Sequence, residues 1–242
     1  MKLKQHVSTL TLIAALAAGA LPLTPAFAGD DGDCEECGHH QKHWRNWSFT
    51  LSPLYQRNTR TSLNAAYAAN GFAAPTQDLF GLSFQAVRNY ESGVKLGFEF
   101  QGVGTGQTVG ANEAMYNSGA FGVYVGYEFA RLGNTSFTIG SGLGWSGSTV
   151  QMFSGGQDGR YTEYGFYANP ALAIDQQVSD RVKIGVSGGY FAAISQGSET
   201  RGDTLALSDI SPRGLEIQVN FTFGKFGEDA KSAEKKTSEE KK

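Results

Sequence analysis

Between Gly93 and Gly102 every second residue is apolar. Val94, Leu96, Phe98 and Phe100 alternate with Lys95, Gly97, Glu99 and Gln101. Successive side chains of an extended strand point to opposite faces, so a strand separates these two sets completely, whereas a helix would mix them around its circumference. The separation recurs seven more times. Trp47, Phe49, Leu51 and Tyr55 oppose Ser48, Thr50, Ser52 and Gln56, and Phe80, Leu82, Phe84 and Ala86 oppose Gly81, Ser83 and Gln85. Phe121, Val123, Val125, Tyr127 and Phe129 oppose Gly122, Tyr124, Gly126 and Glu128. Phe137, Ile139, Leu143 and Trp145 oppose Thr138, Gly140, Gly142, Gly144 and Ser146. Tyr164, Phe166, Ala168, Leu172 and Ile174 oppose Glu163, Gly165, Tyr167 and Asn169. Val182, Ile184, Val186 and Tyr190 oppose Lys183, Gly185, Ser187 and Gly189. Leu215, Ile217, Val219, Phe221 and Phe223 oppose Glu216, Gln218, Asn220 and Thr222. The pattern predicts eight strands.

Alternation alone fits either a soluble sandwich, with its apolar faces buried between two sheets, or a membrane barrel, with its apolar face in lipid. Connection lengths separate the two. The stretches between strands are 59–77, 91–93, 105–117, 132–135, 148–160, 175–181 and 194–211, long and short by turns. Outer-membrane barrels have long external loops and short periplasmic turns in this order, and an even strand number returns both chain ends to one side. The expected fold is therefore all-β: an eight-stranded antiparallel transmembrane β-barrel with long extracellular loops, short periplasmic turns and both termini periplasmic.

This architecture assigns roles to the polar set. A lumen enclosed by eight strands is only wide enough for side chains. Lys95, Glu99, Glu128, Glu163, Lys183 and Glu216 are expected to form an ionic network there, with glycines giving them room and Arg88 as a further partner. Trp47, Tyr55, Tyr90, Phe129, Trp145, Tyr164 and Tyr190 are placed to form interfacial girdles. Pro53 and Pro170 each remove one ladder donor, so bulges or strand-end positions are expected for them.

Composition and the chain ends extend the picture. The 32 glycines, 16 phenylalanines and 10 tyrosines suit many short strands. Lys2 and Lys4, the apolar stretch from Leu10 to Leu23 and the closing Ala26-Phe27-Ala28 have the form of a secretory signal peptide, expected over 1–28. Its apolar core is too short for a bilayer of ~30 Å. Loss of its two lysines takes the net charge from −3 to about −5, which excludes a nucleic-acid binder. No later run of ~20 apolar residues offers a helical span. Four segments are expected: the signal peptide, a periplasmic Cys/His-rich leader over 29–45, the barrel over 46–226, and a charged periplasmic tail over 227–242.

The alternating blocks, above all Gly122-Val123-Tyr124-Val125-Gly126-Tyr127-Glu128-Phe129 and the closing Val219-Asn220-Phe221-Thr222-Phe223, resemble the small outer-membrane barrels of the opacity-protein, OmpX/Ail and OmpA transmembrane type, over about residues 46 to 226. The resemblance implies residence in the bacterial outer membrane among lipid and lipopolysaccharide, insertion by the barrel-assembly machinery, and functions from membrane integrity to host-cell attachment. Members often end on the aromatic of the last strand; here a tail follows Phe226.

Candidate chemistry is concentrated in the leader. Cys34, Cys37, His39, His40 and His43 lie within ten residues, beside Asp30, Asp31, Asp33, Glu35 and Glu36. Thiolate and imidazole at this spacing suit zinc, copper or nickel. A Cys34–Cys37 disulfide in an oxidising periplasm is the alternative. Haem attachment does not fit, because Gly38 follows the second cysteine, and Asp31-Gly32-Asp33 is no lipobox. External loops are the usual seat of ligand recognition on a rigid scaffold. Within them Arg201-Gly202-Asp203 is a triplet that can mark integrin attachment and also arises readily in polar, Gly-rich loops. No histidine follows His43, so the barrel has no His base for hydrolase chemistry, and a non-enzymatic protein is expected. The leading function is membrane maintenance or surface interaction through the external loops. The alternative is a narrow pore, or metal handling by the leader.

Overall fold

The computed structural model describes residues 47–59, 61–69, 78–154, 156–202 and 210–226. The signal peptide, the Cys/His leader with all five candidate metal ligands, Asp203 and the charged tail lie outside the described residues. The strands are β1 (Trp47–Asn58), β2 (Asp78–Asn89), β3 (Val94–Val109), β4 (Asn112–Leu132), β5 (Thr135–Ser154), β6 (Gln157–Gln177), β7 (Val182–Gly202) and β8 (Arg213–Gly224), with one helix, α1 (Thr61–Ala69), between β1 and β2. Every strand pairs antiparallel with its neighbours in sequence, and β1 pairs with β8, which closes the barrel.

The face assignment read from the alternation holds throughout the lower wall, toward the chain ends. Outward side chains such as Leu96, Phe98, Phe121, Ile139, Leu143, Trp145, Phe166, Leu172, Val186 and Ile217 are exposed, while Ser48, Ser52, Ser83, Glu99, Thr138, Asn169 and Glu216 face inward and are buried. A water-soluble protein does not expose so continuous an apolar surface. The belt runs over nine residues of β5 (Phe137 to Trp145) and eleven of β6 (Tyr164 to Ile174), the length a tilted strand needs to cross the hydrocarbon core, ~9–11 residues. Aromatic pairs bind adjacent strands along it, Phe100 on Phe121 at 4.6 Å and Trp145 on Phe166 at 4.1 Å.

Three expectations are corrected. First, 105–117 and 148–160 are mostly ladder, not loop: β3 runs on to Val109 and β4 begins at Asn112, while β5 ends at Ser154 and β6 begins at Gln157. Gly110, at a positive φ of 65°, makes the two-residue turn before β4 possible. Likewise β7 continues to Gly202 through half of the expected loop 194–211, so Arg201 sits in a strand, opposite Arg160. Second, the stretch 59–77 contains α1. Third, neither proline marks a bulge or a strand end. Pro53 stays in register with Leu82 and Pro170 with Ser141; each directs its missing donor toward the opposite neighbour, where the ladder with β8 or β7 skips two residues. The register shifts fall instead between Glu128 and Ala130 and between Tyr164 and Gly165.

The physical reason for the longer strands is an inversion of polarity. In the belt the outward residues are apolar. Beyond it the same strands turn apolar side chains inward, with Ala114, Tyr116, Val150, Met152 and Tyr161 buried together with Tyr67 of α1, Leu54, Leu79, Val103 and Ile210. The outward row there is Asn117, Thr149, Thr162 and Glu199, with the Thr149 and Thr162 hydroxyls 3.1 Å apart. This is the pattern of a water-soluble sheet with a helix on its concave face. The barrel thus carries an apolar cap above a polar lumen, and the cap strands rise about 20 Å beyond the belt for a ~40° tilt.

Candidate functional site

The lumen is layered by register. Nearest the chain ends are Lys95, Glu128, Asp175 and Lys183. Lys95 Nζ lies 3.7 Å from Glu128 and donates to Thr138 Oγ1 at 2.8 Å, and Arg131 Nε donates to Glu128 at 2.8 Å. Lys183 stands 4.5 Å over the ring of Phe226, whose amide donates to the Asp180 carbonyl, so the residues just after β8 fold under this end of the barrel. Of the six residues expected to form the ionic network, these ion pairs join only Lys95 and Glu128 among the described residues.

The other carboxylates are held by neutral donors. Gln85 Nε2 donates to Glu99 Oε2 at 2.6 Å, and the Tyr167 hydroxyl reaches Glu99 Oε1 at 3.5 Å. Glu216 accepts from Asn169 at 2.9 Å, Gln218 at 2.6 Å and Gln101 at 3.3 Å. Glu163 accepts at one oxygen from both the amide (2.9 Å) and the hydroxyl (2.8 Å) of Ser211, and at the other from Tyr161 at 3.1 Å. Arg88 does not join this network. It lies on the outward parity of β2, with its guanidinium 5.2 Å from the Tyr90 ring at the barrel rim. Glycines do make the room expected of them, since a Cβ at Gly142 would collide with the Glu99 carboxylate and one at Gly140 with the Tyr124 hydroxyl.

Above Glu99 and Glu216 the Tyr167 and Phe191 rings of adjacent strands stack at 5.3 Å inside the lumen. The apolar cap follows. Tyr67 and Ile210 are both 0% exposed, and the Tyr116 hydroxyl donates to the Ile210 carbonyl at 3.1 Å. Burial pushes the Tyr67 phenol well above its ordinary range, so it stays neutral. The alternation search missed this cap because it looked for apolar residues on the outward parity. The signal was present: Ala114, Tyr116, Val150 and Met152 alternate with opposite phase.

Below the aromatic stack a cavity of about 60 Å³ remains, lined among others by Lys95, Glu99, Tyr124, Asn169 and Asp175. Its wall is polar and its position is inside the belt.

No protein-family model matches the chain, and no curated protein matches it. Among solved structures it is similar to a major outer membrane protein from Thermus thermophilus, at 5% identity and a TM-score of 0.50, covering 73% of this chain and 97% of that one. It is also similar to Ail of Yersinia pestis, solved with the heparin analogue sucrose octasulfate, at 8% identity, a TM-score of 0.48 and coverage of 73% and 96%. Neisserial surface protein A gives 11% identity, 0.44, and coverage of 73% and 94%. The likeness to the Thermus protein is one of fold, and together with the closed ring of strands and the exposed apolar belt it defines the class: an eight-stranded antiparallel transmembrane β-barrel.

Proposed function

We propose that this chain is a non-conducting, non-enzymatic barrel of the bacterial outer membrane, which presents the cap as a preformed surface for interaction with an external ligand. The observation that carries the reading is the apolar cap. Tyr67, Tyr116, Val150 and Ile210 are each 0% exposed, so the lumen is filled by packed side chains at the end away from the chain termini. A wall of continuous ladder also holds its outward residues in fixed positions, the preorganisation that recognition needs. Short turns at the terminal end and long hairpins at the other support periplasmic termini and an external cap. Lipopolysaccharide and lipid would surround the belt, and insertion would require the barrel-assembly machinery.

Planar-bilayer recordings of the full mature chain test this function, with no step conductance above background expected. Reproducible single-channel steps would overturn it and favour the narrow pore, for which the polar cavity would be the inner half. Metal handling by Cys34, Cys37, His39, His40 and His43 remains a separate function of the leader, with its own test below.

A further inference from the structure

The two mid-lumen carboxylates are unequally satisfied. Glu216 accepts three amide donors. Glu99 is 1% exposed and accepts one short amide bond, from Gln85, with the Tyr167 hydroxyl at the 3.5 Å limit and a weaker interaction from the Asn169 amide. No lysine or arginine nitrogen of the described residues pairs with either, because Lys95 and Arg131 are engaged with Glu128 and Lys183 with the Phe226 ring. A carboxylate inside a membrane barrel is costly unless its charge is compensated.

Glu99 also differs from Glu216 in lining the cavity. Asn169 of β6, 3% exposed, lines the same cavity. Its amide nitrogen serves Glu216, Gln101 and, more weakly, Glu99, and its Oδ1 is buried with no hydrogen-bond partner. Orphaned buried acceptors are rare in folded proteins and point to a missing donor or cation. Glu99, Asn169 and Tyr124 line the same cavity, and each carries a side-chain oxygen. Hard cations select oxygen ligands. A divalent ion has too few anionic donors here, since no group of three or more Asp, Glu, His or Cys that could hold a metal occurs among the described residues.

We propose that this cavity binds one small monovalent cation, an alkali ion or ammonium, between Glu99 and the Oδ1 of Asn169. The site is independent of the surface function. It would fix the lumen by supplying the charge that Glu99 lacks and the partner that Asn169 lacks. Lys95, nearer the terminal end of the same cavity, is held there by Glu128 and Thr138.

The test is the thermal unfolding midpoint of the purified full chain in detergent, in sodium, potassium, ammonium or choline chloride at equal ionic strength. Choline is too large for the cavity. At least one small cation should raise the midpoint by about 3 °C or more over choline; the arm that responds tells alkali ion from ammonium. Glu99→Gln, which keeps the side-chain shape and removes the charge, should abolish the difference between salts. Equal midpoints in all four salts, or the same salt dependence in Glu99→Gln, would overturn the proposal. If Glu99→Gln does not fold, sodium-23 and nitrogen-15 ammonium NMR of the unmutated protein decide the matter. Protein-dependent broadening of either resonance, not produced by a barrel of unrelated lumen, supports the site, and its absence removes it.

Discussion

Replacing Ile210 by alanine isolates the cap from the barrel beneath it. The side chain is 0% exposed, within the cluster of Tyr67, Tyr116, Val150 and Met152. Removing three carbons forfeits roughly 2.4 kcal/mol at ~0.8 kcal/mol per buried methylene, and the cavity left behind adds to this, so the total is about 3–4 kcal/mol. At ~1.4 kcal/mol per decade, the open state of the cap becomes a few hundred times more populated. Amide hydrogen exchange in detergent reads that population directly. Exchange should accelerate by about that factor at 114–118 and 148–152, while amides of the belt, for example 139–145, keep their protection. Ile194→Ala is the matched control, because Ile194 is 56% exposed on the outward face and its truncation leaves no internal cavity. If Ile210→Ala and Ile194→Ala change exchange at 114–118 and 148–152 equally, the cap is not packed around Ile210 and the reasoning fails.

Three further outcomes follow from the same geometry. Gly142→Ala places a methyl group against the Glu99 carboxylate and should lower the yield of heat-modifiable, folded barrel, whereas Gly147→Ala, outward and in ordinary contact distance, should be tolerated. Lys95→Met removes one of the two cations beside Glu128 and should cost about 1–3 kcal/mol in urea unfolding, less if Arg131 takes over the carboxylate. Elemental analysis of the mature protein against a Cys34→Ser/Cys37→Ser variant tests the leader: about one equivalent of zinc, copper or nickel, lost in the variant, marks a metal site, and background levels in both leave a disulfide-bearing segment.

The strand number, the antiparallel order and the inward set of the belt were legible in the sequence because lipid imposes one rule there. Each outward position must be apolar, so Phe98, Ile139 and Leu172 announce their own orientation. Above the belt the rule reverses. Tyr116 and Val150 mark the inside, Asn117 and Thr149 the outside, and a search for a single phase reads those hairpins as loop. The lumenal carboxylates were located by alternation, but their partners were not. Whether Glu99 faces Lys183 or Gln85 depends on the stagger between strands, which no single strand records. Arg88 shows the converse, since its parity with Phe80 and Phe84 already excluded it from the lumen. The bulges that preserve facing near Phe129 and Gln196 carry no residue signature comparable to the two prolines, which cause no register shift.

The central claim, a wall whose polarity inverts at the outer boundary of the belt, is tested most directly by a spin-label scan of β5 from Ile139 to Met152 in lipid vesicles. Odd positions from 139 to 145 should be accessible to oxygen, and positions 149 and 151 to a water-soluble nickel reagent. Positions 150 and 152 should be shielded from both. Loss of all periodicity beyond Ser146, with 149 to 152 uniformly open to the nickel reagent, would show a mobile loop in place of the cap and contradict the account.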